Sequence, residues 1–63
     1  MSLSVRLLRL EAADDPRTAG DLAVIALQLT RAERKLLAGG RDVRPELRIV
    51  EQRIVRAERR AGA

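Results

Sequence analysis

The stretch Asp21–Gly40, DLAVIALQLTRAERKLLAGG, is rich in good helix formers and ends in two glycines. Glycine is the favoured residue just past a helix end, so the stretch has a defined stop. Thr18 and Asp21 form a capping-box-like pattern, with Asp in the usual Glu position. Apolar residues recur at alternating steps of three and four, which places them on one helix face: Leu22, Ile25, Leu29, Ala32 and Leu36. The pattern predicts a helix over about residues 18–38.

A second stretch of the same kind follows the break GGRDVRP at residues 39–45. Its apolar residues repeat the first set 25 positions later: Leu47, Val50, Ile54, Ala57 and Ala61. The tetrapeptide RAER occurs at the matching places, residues 31–34 and 56–59. Pro45 suits the first turn of a helix, so we expect the second helix over about residues 45–61.

The short connection between the two segments predicts an antiparallel helical hairpin. Folding the chain near residue 41 pairs the two apolar sets in layers, from Leu36 with Leu47 at the turn to Leu22 with Ala61 at the far end. The same fold brings Lys35 near Glu46 and Asp21 near Arg60. Opposite charges on the flanks agree with apolar layers at the centre, which supports this pairing.

The N-terminal segment, residues 1–17, fits two structures. A helix over LSVRLLRLEA would place Leu3, Leu7 and Leu10 on one face, whereas LSVRL alternates as a strand does until Leu8 breaks the phase. Four leucines against one β-branched residue favour a short helix, with an irregular segment as the alternative. We therefore expect an all-α chain with a single small helical domain over 1–63, whose hairpin occupies 18–61.

Three apolar residues fall outside the hairpin seam: Val24, Leu27 and Ile49. A chain of 63 residues buries a modest core, and small domains commonly add a disulfide, a metal or a second chain. Cysteine is absent, which excludes disulfides. We therefore expect these residues to mediate self-association, with a homodimer and a helical bundle as the favoured assembly.

Side chains that carry catalytic chemistry are scarce. The sequence contains no His, Cys or Tyr, and its lone lysine, Lys35, lies among arginines on a predicted helix. Asp14 and Asp15 suit a polar loop before a helix better than half of a cation site. We therefore expect no catalytic, cofactor-binding or metal-binding residues, and a non-enzymatic function as an interaction or assembly module.

Positive charge is concentrated in the second half of the chain. Residues 1–30 carry three arginines and four carboxylates, whereas residues 31–60 carry ten basic and five acidic side chains. On the second predicted helix, Arg53, Arg56 and Arg60 have no carboxylate three or four residues away. A solvated face is the simplest interpretation of this basic strip, ahead of an acidic protein partner, and nucleic-acid phosphates are a possible but less favoured partner.

The order of the predicted elements also bears on nucleic-acid binding. If residues 3–10 formed a strand, that strand and two helices joined by GGRDVRPEL would give an order that resembles the ribbon-helix-helix repressors. The resemblance implies a dimer whose strands read the major groove, with Arg6 and Arg9 as the candidate readers. The chain departs from that family in its spacer, EAADDPRTAG.

Membrane insertion is not expected. The longest apolar run is LAVIAL at residues 22–27, far below the roughly 18–20 residues that a spanning helix needs. The N-terminus has no apolar signal-peptide core followed by a small-residue cleavage site. The predicted location is therefore cytoplasmic, without a membrane partner.

Overall fold

The computed structural model describes residues 2–40 and 42–62, and within them the chain forms three α-helices. These are α1 (Leu3–Ala12), α2 (Ala19–Gly39) and α3 (Arg44–Arg60). The all-α expectation is confirmed, and both hairpin helices lie within one residue of their predicted bounds. The predicted turn position, Arg41, lies outside the described residues.

Helices α2 and α3 are antiparallel, as two ion pairs at opposite ends of the hairpin show. Lys35 Nζ lies 3.3 Å from Glu46 Oε1 near the turn. At the far end, Arg60 Nη1 lies 2.8 Å from Asp21 Oδ2. Both flanking pairs were expected from the sequence and both are confirmed.

The segment whose structure the sequence left open is a helix. Ser2 caps α1 by accepting a hydrogen bond from the Val5 amide at 3.2 Å. Leu7 and Leu10 are buried on its inner face, and α1 contacts both α2 and α3. The strand that the ribbon-helix-helix resemblance required is therefore wrong, because leucines three residues apart bury together on a helix but not on a strand.

The core is built from aliphatic side chains of all three helices. Its central cluster consists of Leu7, Leu10, Leu22, Ile25, Leu29, Val50, Ile54 and Ala57. The predicted layers hold at the centre and at the far end, but Leu36 is 49% exposed. The layer that paired Leu36 with Leu47 at the turn is thus incomplete, since Leu47 is only partly buried as well.

Two Asp-x-Arg tripeptides shape the chain before α2 and before α3. Asp15 Oδ1 accepts from the Arg17 amide at 2.9 Å, and Asp42 Oδ1 accepts from the Arg44 amide at 3.0 Å. Each arginine side chain also returns to the same carboxylate. Such side-chain turns hold the backbone in a local reversal, which directs the chain into the next helix.

Thr18 has a different role from the one that its sequence pattern predicts. It stands at the N-cap position of α2, but its side chain makes no capping hydrogen bond. Instead its hydroxyl donates to the Asp15 carbonyl at 3.1 Å, and the residue is completely buried. Thr18 therefore secures the turn before α2 by a hydrogen bond that points backward along the chain.

Candidate interaction surfaces

The three candidate self-association residues remain exposed in the folded chain. Val24 is 41%, Leu27 53% and Ile49 49% exposed, although α1 could have covered them. Helix α1 docks elsewhere, and Ala23 and Ala26 of α2 line a cleft beside its C-terminal end. The apolar surface off the seam is therefore uncovered within the described residues.

The structure brings two of these residues together and places the third across a groove. Val24 and Leu27 are one turn apart on the side of α2 that faces away from its buried residues. Ile49 lies on α3, beside a groove of about 360 Å³. The next turn of α2, with Gln28 and Arg31, lines that groove and lies between the Val24–Leu27 turn and Ile49.

The groove contains unused hydrogen-bond acceptors. Gln28 Oε1 and Glu46 Oε2 are buried and accept no hydrogen bond within the described part of the chain. Buried polar atoms are normally paired, so each unpaired oxygen needs a donor. A donor from solvent or from another molecule would satisfy either one.

The basic strip has a mixed environment. Arg60 pairs with Asp21, whereas Arg53 and Arg56 are exposed and make no ion pair within residues 2–40 and 42–62. Arg48 and Arg59, on the same helix, are in the same situation. The unneutralised charge of α3 is thus broader than the strip that the sequence indicates.

Arg6, a candidate base reader in the ribbon-helix-helix comparison, is already engaged. Its Nη2 lies 2.6 Å from Glu58 Oε1 and its Nε donates to Glu58 Oε2 at 3.2 Å, which ties α1 to α3. The hydrogen bond from Arg6 lowers the pKa of the Glu58 carboxyl. No helical spacing could have indicated a pair 52 residues apart. Arg9, the other proposed reader, is exposed on α1.

Sequence periodicity also missed part of the exposed apolar surface. Leu37 is 89% exposed near the end of α2, and Leu8 is 63% exposed on the outer side of α1. Leu8 is the residue that breaks the strand alternation in the sequence. Its exposure follows from the orientation of α1, which turns Leu7 and Leu10 inward.

No protein-family model, curated protein or solved structure matches the chain significantly. Within the described residues, no helix is both long enough and apolar enough to cross a membrane. Across the same ranges, no group of three or more acidic side chains converges as a metal site would require.

Proposed function

We propose that the chain is a non-enzymatic helical interaction module that self-associates through Val24, Leu27 and Ile49. The observation that carries this proposal is their exposure after α1 has docked on the other side of the hairpin. The partner at this surface is a second copy of the chain. The cytoplasmic location and the single-domain organisation stay predictions.

The accessible area of the chain supports a second copy. The chain exposes 4717 Å², whereas a typical folded monomer of its mass, 7.0 kDa, exposes roughly 4,000 Å². The excess of about 700 Å² is close to the ~800 Å² that each partner buries in a standard interface. The chain is elongated, 38 × 19 × 15 Å, so a second hairpin packed along its length could bury an area of this size.

Charge placement on α2 supports an antiparallel arrangement. If two α2 helices cross midway between Val24 and Leu27, Val24 of each copy lies at the level of Leu27 of the other. The same crossing brings Asp21 of each copy, which already pairs with Arg60 of its own chain, within one residue of the level of Arg31 of the other. Opposite charges at both ends of an apolar centre favour one register, as flanking charges do in coiled coils.

Sedimentation of the wild-type chain and of the double variant V24D/L27D tests the proposal. We expect a dimer for the wild type at tens of micromolar, and a monomer for the variant because each buried aspartate would lack a partner. The matched control is L37D, which adds a charge at an exposed leucine of the same helix outside the proposed interface.

Circular dichroism must show that both variants keep the helical content of the wild type. A wild-type monomer at this concentration would overturn the proposal. Equal dissociation by L37D would place the interface elsewhere on α2, which also contradicts it. An acidic protein that binds this surface more tightly than a second copy does would replace self-association as the function.

A further inference from the structure

The outer edge of α3 carries four exposed arginines that the described part of the chain does not neutralise: Arg48, Arg53, Arg56 and Arg59. The remaining arginines of this helix are both paired, Arg44 with Asp42 and Arg60 with Asp21. Three of the four unpaired side chains also have no carboxylate three or four residues away, the exception being Arg48 with Glu51. Like charges therefore adjoin one another along this edge.

The helix dipole explains only part of this arrangement. Cations near a helix C-terminus are favoured by the unpaired carbonyls there, and Arg59 lies in the last turn of α3. Arg48 lies in the first half of the helix and Arg53 just past its middle, both outside the last turn, where the dipole offers them no such stabilisation. An anion from outside the chain would offset the repulsion along the whole edge.

The geometry of the edge suits a row of anions. Arg48, Gln52, Arg56 and Arg59 fall within about 80° of one another and point away from the buried residues of α3. The row extends over twelve residues, 48–59, or about 16 Å along the helix axis. A shallow cleft beside it is lined by one carboxylate and by two arginines of the row, together with two uncharged residues: Glu51, Gln52, Val55, Arg56 and Arg59.

We infer that this edge of α3 binds the phosphates of duplex nucleic acid. A protein hot spot normally has a buried apolar or aromatic anchor at its centre, whereas the middle of this row is Gln52. Guanidinium groups match phosphate oxygens in a bidentate fashion, which suits the three arginines of the row. Single strands fit less well because the chain has no aromatic side chain on which a base could stack.

Phosphate binding by this edge of α3 does not require self-association. Val24 and Leu27 lie on α2, whereas the arginine row lies on the outer side of α3, where Ile49 borders it next to Arg48. A dimer centred on Val24 and Leu27 would cover the groove side of Ile49 and leave the arginine row accessible on its other side. The contacting element is a helix, in contrast to the strand that the ribbon-helix-helix comparison required.

Fluorescence anisotropy of a short labelled DNA duplex of mixed sequence, titrated with the chain from about 50 to about 200 mM salt, tests the inference. The test variant is R48Q/R56Q. The matched control is R9Q/R34Q, which removes the same charge from exposed arginines that make no ion pair within residues 2–40 and 42–62. Glutamine keeps a good helix propensity, so both variants should fold.

We expect the slope of log affinity against log salt to fall by about 1.8 per chain in R48Q/R56Q, because two phosphate contacts are lost. The slope of R9Q/R34Q should match that of the wild type. An equal loss in both variants would show that only net charge matters, and would overturn the inference. Absence of binding at the lowest salt would also overturn it, as would α3-dependent binding of polyglutamate in preference to DNA.

Measuring V24D/L27D in the same titration separates this inference from the proposed function. That variant keeps the arginine row of α3. If V24D/L27D is monomeric and still binds DNA, phosphate binding by α3 is supported independently of self-association. Self-association itself is tested by sedimentation.

Discussion

Arg6 and Glu58 join the first helix to the last through two hydrogen bonds between their side chains. The pKa of Glu58 is lowered chiefly by the hydrogen bond from Arg6. A carboxyl whose pKa is lower in the folded chain stabilises the fold above its unfolded pKa, about 4.3 for Glu. That stabilisation is lost as the pH falls through the lower, folded pKa.

Substituting Glu58 with Gln should therefore lower the thermal midpoint near neutral pH and flatten its fall between about pH 6 and pH 3. Asp15 and Asp42 also have lowered pKa values, through hydrogen bonds from Arg17 and Arg44, so part of the acid response should remain. The control is E11Q, at an exposed carboxylate without an ion pair in the described ranges. Superimposable pH profiles for E58Q and the wild type would refute this role.

Helix α2 ends at two adjacent glycines that have different backbone requirements. Gly40 has φ 64° and ψ 26°, the left-handed conformation, and its amide donates to the Leu36 carbonyl at 3.2 Å. Gly39 is the last helical residue and has no such requirement. A methyl group would meet open space at either position, so the two differ in backbone conformation alone.

We expect G40A to lower the free energy of unfolding by about 1 kcal/mol, because a left-handed conformation strains any residue with a Cβ. G39A should leave it unchanged or raise it by up to about 1 kcal/mol, since alanine favours the helix. Chemical denaturation of the two variants makes the comparison directly. Equal destabilisation by both substitutions would mean that the end of α2 does not depend on the left-handed cap.

Self-association would make the thermal stability of the chain depend on its concentration. Ligands and partners that bind the folded state alone raise the unfolding temperature by mass action. If the apolar surface of Val24, Leu27 and Ile49 is buried by a second copy, the thermal midpoint must rise with protein concentration. An isolated three-helix monomer would show no such dependence.

Differential scanning calorimetry over a hundredfold range of protein concentration measures this dependence. We expect the midpoint of the wild type to increase steadily, and that of V24D/L27D to stay constant. L37D should behave like the wild type. A constant wild-type midpoint would contradict self-association by a measurement independent of sedimentation.

Local patterns in the chain sufficed to predict the hairpin and its direction. Helix formation depends on residues close in sequence, and the steps of three and four define which face of each helix is apolar. Because that face and the flanking charges follow from spacing alone, the Lys35–Glu46 and Asp21–Arg60 pairs could be predicted. The Asp-x-Arg turns before α2 and α3 could have been found in the same way, since their partners are two residues apart.

The packing of α1 could not be obtained from such patterns. Its ten residues fit a helix or a strand almost equally well until Leu7 and Leu10 are buried against the hairpin. Which side of the hairpin α1 covers depends on the combined shape of three helices, and not on any short stretch of sequence. That choice creates the Arg6–Glu58 pair and leaves Val24, Leu27 and Ile49 exposed. The helices are thus local products of the sequence, whereas the surfaces they leave open result from contacts between residues far apart in the chain.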